Sequence, residues 1–142
     1  MFSIALMCQS DIEDAYKIEF QTNPTPWSKE NFFSSFEVGH KSLVCKTKNE
    51  IIGFIIFSLI KKETHLLNIA VSQEWQKNGV GTLLMETMIN QSKVMGAKKV
   101  FLEVRSKNNS AIIFYKKFNF IQDAVRADYY TGKNPEDAVL MS

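Results

Sequence analysis

Hydrophobic positions recur along this chain in two rhythms, near-continuous apolar runs and stretches spaced by three and four, and the two alternate. Residues 2–7 are apolar enough for a first strand. Gln9-Ser10-Asp11 then offers capping residues for a helix over 12–20, with Ile12, Ala15, Tyr16 and Glu19 on helical spacing. Thr22-Asn23-Pro24-Thr25-Pro26 is a loop, because two prolines so close together break both helix and ladder. Ser28 is placed to cap a second short helix carrying Phe32, Phe33 and Phe36. Residues 41–47 and 51–61 read as strands joined by a turn at Lys48-Asn49-Glu50, and 66–71 as a fourth strand. Links this short imply antiparallel pairing, since parallel neighbours need a crossover of about a dozen residues.

The order then changes. A long amphipathic run over 82–95 is stopped by Gly96, and 99–104 is the next strand, so this strand-helix-strand crossover predicts a parallel pair. Asn108 or Asn109 caps a helix over 110–117, and Phe118-Asn119-Phe120 returns the chain to strand. Residues 123–128, Tyr129-Tyr130, a turn at Gly132-Lys133-Asn134-Pro135 and a final strand over 137–141 complete the chain. The pattern predicts a mixed α/β (α+β) fold: one central sheet, antiparallel in its first half and then with one parallel crossover pair, and helices on both faces.

Length and composition narrow the classes. A chain of 142 residues, 45% hydrophobic, suits one domain over 1–142. Seventeen basic against fifteen acidic residues leave a formal charge of +2, without the excess of a dedicated nucleic-acid binder. Cys8 and Cys45 form no C-x-x-C and read as reduced core thiols in strands. The N-terminus has no signal-peptide pattern, and the most apolar run, 51–60, is half the roughly 20 residues of a membrane span. The expectation is a soluble, unprocessed, cytoplasmic protein with no membrane or direct nucleic-acid partner.

The stretch from Asn68 to Gly96 carries the candidate chemistry. The strand Leu66-Leu67-Asn68-Ile69-Ala70-Val71 leads through Ser72-Gln73-Glu74-Trp75 into Gln76-Lys77-Asn78-Gly79-Val80-Gly81 and a helix. Glycines at 79 and 81 let backbone N–H groups at a helix N-terminus meet an anion, or they simply make a tight turn. Two other phosphate loops are excluded by spelling: Gly81 is followed by Thr82-Leu83 and not Lys-Ser/Thr, and position 84 is Leu where a third glycine belongs. A ligand is expected where the antiparallel and parallel halves meet, between the strands ending at Val71 and Val104. Glu103 interrupts the apolar run 100–104. It is either on a solvated face, with Arg105 as a possible ion-pair partner, or held near a site where burial would raise its pKa. Tyr115 shares a helix face with Ala111, Ile112 and Phe118, which by periodicity is a core position. His40, His65 and Cys45 could serve as base or nucleophile, but none lies in a motif.

Gln-x-x-Gly-x-Gly directly after a hydrophobic strand resembles the coenzyme A pyrophosphate loop of the GNAT acyltransferases. Five blocks in order extend the likeness to the ribosomal-protein-alanine N-acetyltransferase (RimI) family: Pro26-Trp27-Ser28, Asn68-Ile69-Ala70-Val71, Leu102-Glu103-Val104-Arg105 with Asn108, Arg126-x-x-Tyr129-Tyr130, and Glu136-Asp137-Ala138. The resemblance implies a GNAT-like acyl-CoA N-acyltransferase fold with acetyl-CoA as co-substrate and no metal. It implies that Ile69, Ala70, Val71, Lys77, Asn78, Gly79, Val80, Gly81, Thr82 and Asn108 bind acetyl-CoA. It makes Glu103 the general base and Tyr115, seven residues after Asn108, the acid for the departing thiolate. It also puts Trp27, Tyr129 and Tyr130 around the entrance for the acceptor. That acceptor is the flexible, alanine-starting N-terminus of the eighteenth small-subunit ribosomal protein. Another amine, a lysine or a small metabolite, is the alternative acceptor, and a CoA-binding domain without turnover is the alternative class. One departure is Asn119-Phe120 where the family has Gly-Phe; Asn also tolerates the left-handed cap conformation, so the helix stop is expected to survive.

Overall fold

The computed structural model describes residues 1–142. Along the chain come β1 (Ser3–Leu6), α1 (Ile12–Thr22), α2 (Lys29–Glu37), β2 (Lys41–Lys46), β3 (Ile51–Ile60), β4 (Glu63–Val71), α3 (Val80–Val94), β5 (Lys99–Arg105), α4 (Asn109–Lys117), β6 (Gln122–Tyr130) and β7 (Glu136–Met141). The seven strands form one sheet in the order β1-β2-β3-β4-β5-β7-β6. Every neighbouring pair is antiparallel except β4 and β5. β3 is buried on both faces because it lies near the centre with helices on either side, which is why its sequence reads as an unbroken apolar run.

Two hydrophobic clusters cover the two faces. One packs Ile55 and Phe57 of β3 with Leu84, Met85 and Met88 of α3 and Tyr115 of α4. The other packs Phe54 and Ile56 of the same strand with Ile12, Ala15 and Ile18 of α1 and Phe32 of α2. α2 starts where its cap predicts: the Ser28 hydroxyl accepts the Asn31 N–H at 3.1 Å, and the Asn31 side chain accepts the Ser28 N–H at 3.0 Å. A Cβ at Gly53 would meet the Ala70 carbonyl oxygen and Val80 Cγ1 at 3.1 Å each, so its absence lets the start of α3 lie close on the sheet.

The sheet opens between β4 and β5. Their parallel pairing covers only Glu63–Lys99, Thr64–Val100 and His65–Phe101. Just beyond it the β3–β4 register shifts, from Phe57 opposite Leu66 to Ile56 opposite Asn68, so Leu67 is an extra residue. A bulge of this kind bends its strand. β5 meanwhile turns its far half, Leu102 to Arg105, to β7. The ends of β4 and β5 therefore diverge, and the edge of β4 from Asn68 to Val71 has no strand on that side.

Three expectations are corrected here. Phe118-Asn119-Phe120 is not strand: α4 ends there with Asn119 at φ 70°, and β6 begins at Gln122. The left-handed Asn119 is the helix stop expected of it. β4 begins at Glu63, three residues before the apolar run, because the tight turn at Lys61, φ 57°, pairs Glu63 with Ile60 at once. Cys8 is neither core nor strand: the chain has left the sheet, its N–H donates to Asp11 Oδ2 at 2.8 Å, and its thiol is exposed, while Cys45 is buried in β2. Neither cysteine is in a disulfide.

Candidate active site

The divergence of β4 and β5 makes a cleft of about 700 Å³, lined from both faces of the sheet. On one face the chain leaves β4 through the glycine loop into α3. Gln76 reaches back, its Nε2 donating to the Val71 carbonyl at 3.1 Å, and Asn78 Nδ2 donates to the Gln76 carbonyl at 3.0 Å, so loop and strand end brace each other. Lys77 and Gly79 both adopt positive φ, 64° and 83°. This folds successive N–H groups inward and brings them to the N-terminus of α3.

No side chain caps α3 and no acidic residue lies in its first turn, and Leu83 is the first residue whose N–H reaches back along the helix, to Gly79. The N–H groups of Val80, Gly81 and Thr82 thus remain for an anion at the positive end of the helix. A substituent on Gly79 would meet nothing within 4 Å, which leaves the backbone there open to a ligand. These features fit a diphosphate. Ile69, Ala70, Val71, Lys77, Gly79, Gly81 and Thr82 all line the cleft. Asn78 and Val80 do not: the Asn78 side chain is tied to the loop backbone, and Val80 is buried in the core under α3.

α4 closes the same side. Asn108 caps it, with Oδ1 accepting from Ala111 N at 3.3 Å, and lines the cleft. Tyr115 is both core and cleft: it packs against Phe114 and Phe120, is 8% exposed, and lines the opening. Burial first, and Tyr130 second, push its pKa up to about 12. It holds its proton at neutral pH, as a donor must.

The opposite face follows from strand alternation. Leu102 and Val104 of β5 point into the α3 cluster, so Glu103 and Arg105 point to the side of α1 and α2. Glu103 lines the cleft with its side chain exposed rather than buried. Nor is Arg105 its partner: Arg105 lies 3.9 Å from Glu136 and donates to Asn23 Oδ1 at 2.8 Å and Thr25 Oγ1 at 3.0 Å. The Glu103 carboxylate is instead the leading cause that raises the pKa of Tyr129, and after burial it also raises that of Tyr130. Tyr130 and Trp27 line the cleft, whereas Tyr129, 41% exposed, stands outside the lining with the Arg126 guanidinium 4.9 Å from its ring centre. Trp27 also packs edge-on against Phe32. His40, His65 and Cys45 lie outside the cleft lining.

Sequence reasoning passed over Glu19, Asn68, Asn23 and Arg105 as one connected group. Glu19 Oε2 accepts from Asn23 Nδ2, the Trp27 N–H and Asn68 Nδ2, each at 3.0 Å. Asn23 in turn holds Arg105. The available signal was Glu19 itself, a carboxyl on the apolar spacing of a helix, where an acidic side chain is buried only with partners.

Known proteins share this fold and much of this sequence. Residues 10–120 match the model of the Acetyltransferase (GNAT) family. Over its whole length the chain is 31% identical to the ribosomal protein bS18-alanine N-acetyltransferase of Salmonella typhimurium, covering 97% of that protein. It is 35% identical to the enzyme of the same name from Haemophilus influenzae, over 93% of this chain and 91% of that one. The crystal structure of the ribosomal-protein-S18-alanine N-acetyltransferase from Escherichia coli matches with a TM-score of 0.92 at 31% identity, over 99% of this chain and 92% of that one. Split sheet, open helix N-terminus and full-length likeness meet in one conclusion: the chain belongs to the GNAT family of acetyltransferases.

Proposed function

We propose that this acetyltransferase moves the acetyl group of acetyl-CoA to the N-terminal α-amine, an alanine, of a small-subunit ribosomal protein in the cytoplasm. The observation that carries the reading is the cleft's two-sidedness: Tyr115 and the open end of α3 on one face, Glu103 and the aromatic rim on the other. Acetyl-CoA supplies an acetyl group already activated as a thioester. The N–H groups of Val80, Gly81 and Thr82, with Lys77, hold its phosphates, and the free edge of β4 at Ile69 to Val71 aligns its arm with Asn108. Glu103, through water or directly, takes the proton of the attacking amine, and Tyr115 gives its proton to the departing sulfur.

The choice of amine follows from charge. A protein α-amine has a reference pKa of about 7.7–8.0 and a lysine about 10.4, so freeing the lysine at one pH costs about 3.4 kcal/mol more. One exposed carboxylate suits the easier amine. Trp27 and Tyr130 narrow the acceptor side to an extended tail, and the relatives, ribosomal protein bS18-alanine N-acetyltransferases, support a ribosomal protein as acceptor. No helix is long and apolar enough to cross a membrane, and no cluster of three or more His, Cys, Asp or Glu side chains forms a metal site. Mass spectrometry of native N-termini, in cells with and without the gene, tests the reading: the N-terminal alanine of that ribosomal protein should lose its acetyl group when the gene is deleted. Full acetylation in the deletion strain would refute it.

A further inference from the structure

Glu19 is the most buried carboxyl of the molecule's cleft, 1% exposed yet part of the lining. All three of its hydrogen bonds fall on Oε2. Oε1 has none, and no cation lies within ion-pair distance. It is not sealed either, because Ser142 Oγ is the one fully buried side-chain oxygen or nitrogen left without a partner. Holding the loop between α1 and α2 accounts for Oε2 and leaves Oε1 unexplained. A carboxylate oxygen that no protein donor claims, on an otherwise buried side chain at the cleft wall, is open to a donor that a ligand brings.

The position says which ligand. Glu19 stands on the α1 side, tied to Asn68 at the bulged edge of β4, and Glu103 stands on the same face from the other wall of the split. An amine brought to the cleft from this face passes between two carboxyl groups, one buried and one exposed. We propose that Glu19 binds the acceptor: its Oε1 takes a hydrogen bond from the protonated α-amino group and orients the tail before Glu103 removes the proton. This rests on the α-amine reading above and adds a residue that the sequence left on an apolar helix face.

Glu19→Gln isolates the proposal, because the amide oxygen can keep the three donors while only the oxygen without a partner becomes an NH2. Calorimetry in the presence of CoA would compare an alanine-starting peptide with the same peptide lacking its α-amino group. The wild type should bind the amino peptide about 10–100-fold more tightly, the range for a hydrogen bond to a charged group. Glu19→Gln should bring the ratio close to one, with acetyl-CoA affinity and Tm unchanged, while Glu103→Gln keeps most of it. A wild-type ratio near one overturns the proposal whether or not the variant folds, as does a ratio that persists in Glu19→Gln and vanishes in Glu103→Gln. A wild type that acetylates no α-amine peptide defeats the function reading instead, so the two failures are separable.

Discussion

At the scale of single residues, Tyr115 belongs to the core and lines the cleft at once, and the proposed reaction uses it as the acid. Its ring belongs to the α3 cluster and its burial keeps the phenol protonated. Tyr115→Phe preserves the ring and removes only the proton, so kcat should fall by about 10²–10⁴-fold, the usual worth of a general acid, with acetyl-CoA affinity little changed. Glu103→Gln should lower kcat within the same range. Steady-state rates that match the wild type in either variant would remove that residue from the chemistry. A second outcome follows from the raised pKa. The unfolded chain releases this proton near 10 and the folded one near 12, so the tyrosine costs no stability below pH 10 and an increasing amount as pH climbs between those values. Denaturant unfolding at alkaline pH should therefore weaken the wild type more than Tyr115→Phe. The place of Glu103, Tyr115 and Asn108 in the cleft lining was legible because a motif names them, whereas that of Glu19 was not. Its donors arrive from positions 23, 27 and 68, and no local spacing announces contacts that only the folded chain makes.

At the scale of elements, the loop from Gln76 to Gly81 joins a strand edge to a helix end, and its value lies in its backbone. Gly79→Asp sets a negative charge beside the open N–H groups of α3, at a position where φ is 83° and asparagine or aspartate is the least strained replacement. The protein should stay folded and its affinity for acetyl-CoA should fall sharply; unchanged binding by calorimetry would take the loop out of the site. Gly53→Ala acts at a distance, because its Cβ would press on the Ala70 carbonyl and Val80 at 3.1 Å. It should cost about 1–3 kcal/mol by overpacking, read from urea unfolding, and weaken acetyl-CoA binding through the displaced start of α3. Helices and central strands were readable from periodicity and caps. The bulge at Leu67 was not, since one additional apolar residue in an apolar run leaves no mark in the pattern, yet it opens the cleft. The stretch 118–120 failed for the opposite reason: its aromatic residues read as strand, and the left-handed Asn119 overrides them.

At the scale of the whole molecule, strand alternation sorts the chemistry. The odd positions 103 and 105 of β5 face the side of α1 and α2, the even positions 102 and 104 anchor the core that carries α3 and α4, and the split between β4 and β5 joins the two sides. In the proposed reaction the donor enters from one side and the amine from the other. The central claim is that this amine is the α-amino group of an alanine-starting tail. Its most direct measurement offers the purified protein and acetyl-CoA two versions of the ribosomal N-terminal peptide, one with a free N-terminus and one with a blocked N-terminus and a free internal lysine. The account predicts that mass spectrometry finds acetyl on the α-amine of the first and none on the second. Efficient acetylation of the blocked peptide would contradict it.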